Sequence, residues 1–389
     1  MDPALRGAAG LDQARLKPGG SVPDFRYGHA AAPDWNQAAE ACITQLGRGP
    51  ASLGFLYVTD LLADHLGEIL ALFRSRTGIP HWVGTVGIGV CASGREYLDE
   101  AAIAAMAGDF EPDSFRVFSG VASASDVDNV ALKCAGATPN FAIVHADPYN
   151  RHIADLVSRL AGKVESGFLV GGLTSSRRQN LQVADGVVEG GLSGVSFADS
   201  VAVATRLTQG CSPLGPKHMV TASQHNVIIQ LDGRAALDVF KEDIGEPLAR
   251  DLNRVGGQIF VGLPIAGSDS GDYLVRNLVG IDPANRLIAI GELLQPGASV
   301  VFCKRDTKTA HEDMSRMLES IRKGMYARPR GGVYYSCIGR GASLFGPNSE
   351  ELKMIREALG EFPLVGFFCN GEISHNRLYG YTGVLTLFV

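Results

Sequence analysis

None of the seven cysteines of this 389-residue chain, at positions 42, 91, 134, 211, 303, 337 and 369, stands in a Cys-x-x-Cys pair. Their scatter and odd number fit free thiols in a reducing cytosol and speak against a disulfide framework. His-Glu-x-x-His is absent too, and the nine histidines are dispersed. The His/carboxylate pair His145-Ala146-Asp147 has its Asp147 explained as a helix cap, so no metal site is expected. No Lys/Arg cluster offers a footprint for a phosphate backbone, and the net charge is -6 with a pI near 5.9. Nor does any apolar run approach the ~20 residues of a membrane span, while the start, with Asp2 and Pro3, lacks the apolar core of a signal peptide. These absences lead us to expect a cytoplasmic protein with no nucleic-acid partner and no membrane span.

Catalytic signatures are missing as well. Gly267-Ser268-Asp269-Ser270-Gly271 has Asp where a Gly-x-Ser-x-Gly elbow needs Ser, and reads as a polar turn. Gly-x-x-x-x-Gly-Lys-Ser/Thr does not occur, and Gly84-x-x-Gly87-x-Gly89 carries the dinucleotide glycines in reversed spacing with no helix pattern behind it. Cys337 would need a histidine beside it to act as a nucleophile, and the sequence nominates none. The expectation is a protein without a cofactor and not an enzyme.

What the chain does have is glycine, 48 of them, in a composition 46% hydrophobic and 20% charged. That is enough apolar matter for sizeable cores whose chain turns often. A single core stops growing near ~250 residues, so two domains are expected. Residues 1–33, rich in Ala, Gly and Pro without periodicity, read as a loose leader, with ordered structure from about Trp35.

Beyond the leader one unit recurs three times: a strand, a helix, a strand ending in Val-Gly, then a further strand. The first copy runs from Leu53-Gly54-Phe55-Leu56-Tyr57-Val58 through a helix from Asp60 to His81-Trp82-Val83-Gly84. The second runs from Phe141-Ala142-Ile143-Val144-His145 through a helix from Asp147 to Phe168-Leu169-Val170-Gly171, and the third from Val333-Tyr334-Tyr335-Ser336-Cys337 through a helix from Asn348 to Pro363-Leu364-Val365-Gly366. A spacing of about thirty residues suits a helical crossover between parallel strands, and the strand after each Val-Gly, reached by a short turn, should pair antiparallel. Leu62, Leu66, Ile69 and Phe73 make one buried helical stripe. Asp147-Pro148 reads as a cap before a first-turn proline and Asn348-x-x-Glu351 as a capping box. Between the second and third copies lie short strands, helices at about 234–242 and 246–255, and a helix at about 308–325 whose methionines fill core. The fold class expected is α/β: two domains with mixed sheets built from repeated β-α-β-β units, helices on the sheet faces.

The third copy carries the candidate chemistry. Its two strands break open into Gly339-Arg340-Gly341 and into Asn370-Gly371-Glu372, and a strand that ends in glycine lets a ligand approach its backbone. The pair reads as the floor of a small-molecule pocket, with Cys337, Arg340, Asn370 and Glu372 as its polar atoms. Strand 332–338, apolar on both faces, should be central in its sheet. Arg340 and Glu372 should converge at one sheet edge, either around a ligand or in a direct salt bridge.

These two segments resemble the C-terminal domain of the FIST family, in which Cys-x-Gly-Arg-Gly is followed by Gly-Phe-Phe-x-x-Gly-Glu-Ile. Phe168-Leu169-Val170-Gly171-Gly172-Leu173-Thr174-Ser175, Ser212-Pro213-Leu214-Gly215-Pro216 and Val220-Thr221-Ala222 resemble its N-terminal domain, and Leu231-Asp232-Gly233-Arg234-Ala235-Ala236-Leu237-Asp238 the segment joining the two. The resemblance covers roughly 35–389 and implies an N-terminal domain over 34–232 and a C-terminal domain over 233–389. Ser374 to Thr382 is shorter than the family's loop before its His-Gly-Phe-Thr-like strand. The resemblance implies a sensory, signal-transducing protein that binds a small ligand, an amino acid or related metabolite, and passes the signal to a separate protein. Arg340 would then meet the ligand's carboxylate and Glu372 its ammonium, walled by Phe367, Phe368 and Tyr381. Cys337, Gly339, Gly341, Gly366, Asn370, Gly371, Thr382, Gly171 and Gly172 complete the expected ligand-binding set. Two other readings stay open: a protein-recognition module like the substrate-receptor part of an F-box protein, though the leader is too short to hold an F-box, and an enzyme acting on a small metabolite through Cys337 or the Glu372 region.

Overall fold

Strand, crossover helix and parallel strand do recur three times, each time followed by a hairpin and a returning strand. A computed structural model describes residues 24–246, 248–265 and 273–389, so the Gly267–Gly271 turn and the first 23 residues of the leader lie outside the described residues. The first repeat comprises β1 (Phe25–Ala31), α1 (Trp35–Leu46), β2 (Leu53–Thr59), a 3-10 turn over Asp60–His65, α2 (Leu66–Thr77), β3 (His81–Gly87), the hairpin β4 (Gly89–Ala92) and β5 (Arg95–Leu98), and β6 (Ala102–Gly108). The second comprises β7 (Phe115–Val121), α3 (Ala124–Asn129), β8 (Phe141–Ala146), α4 (Ile153–Ala161), β9 (Phe168–Leu173), the hairpin β10 (Gln182–Ala184) and β11 (Val187–Val188), and β12 (Leu192–Phe197). The third opens with β13 (Val203–Gln209) and is then interrupted. The interruption holds β14 (Cys211–Pro213), β15 (His218–Gln224), β16 (Val227–Leu231), β17 (Arg234–Ala235), α5 (Ala236–Ile244), β18 (Ile259–Pro264), β19 (Tyr273–Asp282), β20 (Leu287–Ile290) and β21 (Ser299–Arg305). After α6 (Thr307–Gly324) the repeat resumes with β22 (Gly331–Cys337), α7 (Ala342–Phe345), α8 (Glu350–Leu359), β23 (Leu364–Cys369), the hairpin β24 (Glu372–Ser374) and β25 (Arg377–Tyr379), and β26 (Thr382–Phe388).

Two compact units follow from this arrangement: Gln209–Asp313 form one, and the described residues before and after them the other. The inserted unit ends within α6.

In the repeat unit the three sheets have orders β1-β6-β2-β3-β10-β11, β7-β12-β8-β9-β24-β25 and β13-β26-β22-β23-β4-β5. Each crossover pair, β2/β3, β8/β9 and β22/β23, is parallel. The hairpin after each Val-Gly strand pairs antiparallel as expected, but with another repeat's strand. The first repeat's β4 joins β23, the third repeat's β24 joins β9, and the second repeat's β10 joins β3. The loan is cyclic. Alternation within a strand sets which face is buried but is silent about which strand lies alongside, so the exchange left no mark on the pattern.

The recurring glycine has a backbone cause. A Cβ on Gly84 would stand 1.8 Å from Leu56 O, on Gly171 1.8 Å from Val144 O, and on Gly366 1.7 Å from Tyr334 O. At each crossover the two main chains approach too closely for any side chain. Strands β2, β8 and β22 are buried on both faces. Their inward residues form one core with those of the neighbouring strands, including Phe55, Ile143, Val333 and Phe388, while Leu56 and Val58 face α1 and α2, and Val144 faces α4. Tyr57, His145 and Tyr335, the residues following the three close approaches, meet inside. Tyr57 Oη lies 2.9 Å from Tyr335 Oη and 3.3 Å from His145 Nε2. Burial pulls the His145 pKa down to about 3, so the imidazole is neutral.

Several local expectations change. Residues 25–31, expected in the leader, form β1, paired with β6 over seven residues. There α1 packs so tightly that a Cβ on Gly28 would fall 2.2 Å from Cys42 O. Asp147 does not cap a helix: its Oδ1 accepts from Tyr149 N–H in a local turn, and α4 starts at Ile153. The 246–255 helix is replaced by 3-10 turns at Leu248–Arg250 and Leu252–Arg254. Glu351 is buried, and no side-chain cap bond forms at α8. Strand β22 is central and buried, as expected.

In the inserted unit, hydrogen bonding runs β21-β15-β16-β20-β19-β18 and returns from β18 to β21, closing a circuit with α5 packed on its core. His218 is clamped between Asp232 Oδ2 (2.6 Å) and Asp243 Oδ2 (2.9 Å).

Candidate functional site

The polar residues at the C-terminal ends of β22 and β23 gather into two groups. In the first, the chain turns back after Cys337, with Arg340 N–H donating to Cys337 O (2.8 Å), and the Arg340 side chain is driven inward to complete burial. Glu351 of α8, equally buried, meets it. Its Oε1 accepts from Arg340 Nε (2.8 Å) and Tyr334 Oη (2.5 Å), and its Oε2 from Ser336 Oγ (3.1 Å) and Gly341 N–H (3.1 Å). Burial by itself would lower the Arg340 pKa, but Glu351 and then Tyr334 outweigh it and leave it raised. The guanidinium carbon stacks 4.9 Å above the Phe345 ring of α7. Both terminal nitrogens, Nη1 and Nη2, are buried and have no hydrogen-bond partner.

A second carboxylate borders this group. Glu96 comes from β5, the hairpin lent by the first repeat, and its N–H donates to Ser349 Oγ (2.8 Å). Burial, then the neighbouring Glu351 charge, raises the Glu96 pKa to about 8. Its Oε1 is buried without a partner.

The other group surrounds Glu372. Oε2 accepts from Thr382 N–H (3.0 Å) and Thr382 Oγ1–H (2.7 Å), while Oε1 takes the Cys369 S–H (3.5 Å). Burial raises the Glu372 pKa to about 7 against these hydrogen bonds. Cys337 lies close by, and burial followed by the Glu372 charge pushes its thiol up to about 12.

Of the residues singled out from sequence, Cys337, Arg340, Gly341, Glu372 and Thr382 stand at this edge. Arg340 and Glu372 share it and Arg340 steadies the Glu372 charge, but the ion pair of Arg340 is with Glu351 and the alternative of a direct Arg340–Glu372 bridge is not what forms. Phe367 does not wall the edge. It points into the shared core, its ring 5.5 Å from Tyr57 and 5.6 Å from Tyr335. Phe368 lies under Gly341, where a Cβ would stand 2.8 Å from Phe368 Cε1. Gly339 sits in the exposed turn and its carbonyl accepts from Ser343 Oγ. Asn370 is exposed, and only its N–H is engaged inward, to Leu173 O (3.0 Å). Gly371 adopts φ +138° and half-buried Tyr381 φ +63°. Gly171 and Gly366 serve the close crossovers, and a Cβ on Gly172 would stand 2.6 Å from Cys369 Cβ.

Sequence reasoning missed Glu351, Glu96, Tyr334 and Ser336. Glu351 did leave a signal, since it stands beside Leu352 and one turn before Ile355 in a buried helical stripe.

Profiles of two protein families match the chain: the FIST N domain over residues 52–234 and the FIST C domain over 236–375. Relatives of similar length exist in mycobacteria. An uncharacterized protein of Mycobacterium tuberculosis is 29% identical over 381 residues, covering 93% of this chain and 98% of its own, and one of Mycobacterium bovis is 28% identical over 380 residues with the same coverage.

Proposed function

The chain belongs to the FIST family, whose domains are associated with sensory signal transduction, and on that premise we propose that it is a cytoplasmic sensor binding a small carboxylate-bearing metabolite, of amino-acid type, at Arg340. One observation carries this reading. Glu351 holds Arg340 by Nε, and the two Nη groups, aligned by the planar guanidinium as an end-on fork, are buried without partners. Buried unpaired donors are costly, and a carboxylate is the group that satisfies such a fork with two parallel hydrogen bonds. The covering segment supports access: α7, with Phe345 over the guanidinium, is flanked by Gly341 at φ +53° and Gly346 at φ +99°, backbone positions only glycine holds easily.

Binding is favoured over chemistry because a thiol pushed to about 12 supplies almost no thiolate at neutral pH, so Cys337 is a poor nucleophile. Among the described residues no helix is long and apolar enough to cross a membrane.

The test is a thermal-shift screen against amino acids and related carboxylates, on the wild type and Arg340→Lys. Lysine keeps a cation for Glu351 but has no fork. A ligand at a hundred times its Kd should stabilise the wild type by about 2.7 kcal/mol, and the lysine variant should lose that response. A wild type that responds to none of these compounds, or a lysine variant that responds equally, overturns the proposal.

A further inference from the structure

Resting on the reading of Arg340 as a carboxylate site, we propose that Glu96 is the acceptor for a cationic nitrogen, so that the ligand is recognised as a zwitterion held between Arg340 and Glu96. The family resemblance suggested Glu372 for this part, but its oxygens are engaged by Thr382 and Cys369. Glu351 is engaged by four donors. Among the described residues, two carboxylate oxygens are buried without a hydrogen-bond partner, Glu96 Oε1 and Asp60 Oδ1. The Asp60 oxygen has a cation already, Arg177 Nη1 at 3.8 Å, and belongs to another repeat's edge. Glu96 stands at the same turn as Arg340: its Oε2 is 3.1 Å from where a Cβ on Gly341 would be, and the Arg340 charge acts on its carboxylate.

Charge points the same way. The groups facing Glu96 are Glu351 and Glu350 of α8 and Arg340, and the one cation among them is already paired with Glu351. An ionised Glu96 would therefore stand uncompensated, and in the empty protein the carboxyl keeps its proton near neutrality. When a ligand enters with its ammonium and carboxylate both charged, Glu96–COOH loses its proton to solvent and the resulting carboxylate faces the ammonium, while the ligand carboxylate faces the Arg340 fork. Charge balances through that single released proton.

The experiment screens the twenty standard amino acids and, for each responder, the same acid with hydrogen in place of its amino group. Calorimetry follows at pH 7 in two buffers of different ionisation enthalpy. The wild type should prefer the amino acid on the order of tenfold to a hundredfold, as for a hydrogen bond to a charged group. It should release close to one proton per amino acid bound and almost none with the deaminated acid. E96Q should bring the two affinities to within about twofold and abolish the release. If the wild type binds both acids equally, Glu96 is not the acceptor, whereas the Arg340 site stands. That wild-type comparison decides the matter even if E96Q fails to fold. A wild type that binds neither compound overturns both readings together.

Discussion

Arg340 was legible in the sequence as a polar residue between glycines at a strand end, but its setting was not. Whether a guanidinium at such a place meets water, a ligand or another side chain depends on what packs over it, and here that is α8, whose Glu351 looked like half of a capping box. Both members of the pair have completely buried side chains, which changes the expected cost of losing one. An exposed ion pair contributes ~0–1 kcal/mol, whereas removing one partner of a buried pair strands the other charge and costs about 3–5 kcal/mol. Glu351→Ala should lower stability by that amount in denaturant titrations, with Tyr334 Oη, Ser336 Oγ and Gly341 N–H losing their acceptor as well. A loss below about 1 kcal/mol would mean that water reaches the group.

At the scale of elements, the segment Leu231-Asp232-Gly233-Arg234 was readable as a junction, while the side chain that fastens it was not. His218 of β15 ties the turn after β16, through Asp232, to the last turn of α5, through Asp243. Burial works to lower the His218 pKa, but the hydrogen bonds it donates to Asp232 and Asp243 prevail and it is raised above 6.5. A raised folded-state pKa means that the folded form binds the proton more tightly. The stabilisation is therefore complete below the unfolded value near 6.5 and is lost as pH rises through the higher folded value. Thermal melts between pH 6 and 9 should show the wild type losing stability over that window, and His218→Asn should flatten this part of the profile. Equal slopes in the two proteins would contradict the clamp.

At the scale of the molecule, the threefold recurrence was visible because the close approach of two backbones demands glycine at the same point in every copy. The lending of hairpins was invisible, since no residue type is reserved for a strand that pairs abroad. It sets what can fold alone. Residues 24–234 lack β24 and β25 from the second repeat's sheet, and residues 235–389 lack β4, β5 and β13 from the third. Each half exposes an unpaired edge where a native partner belongs, so either alone should aggregate or remain unfolded, and the two refolded together should elute as a one-to-one complex. A monomeric, cooperatively melting half would show the exchange to be dispensable. The loan also decides where news of an occupant is delivered. Glu96 stands at the third repeat's edge, yet only Asp99, Glu100 and Ala101 separate its strand from β6, which lies between β1 and β2 in the first repeat's sheet. Whatever pulls on that carboxylate pulls on a different neighbourhood, and a listener waiting for the message would do best to stand there.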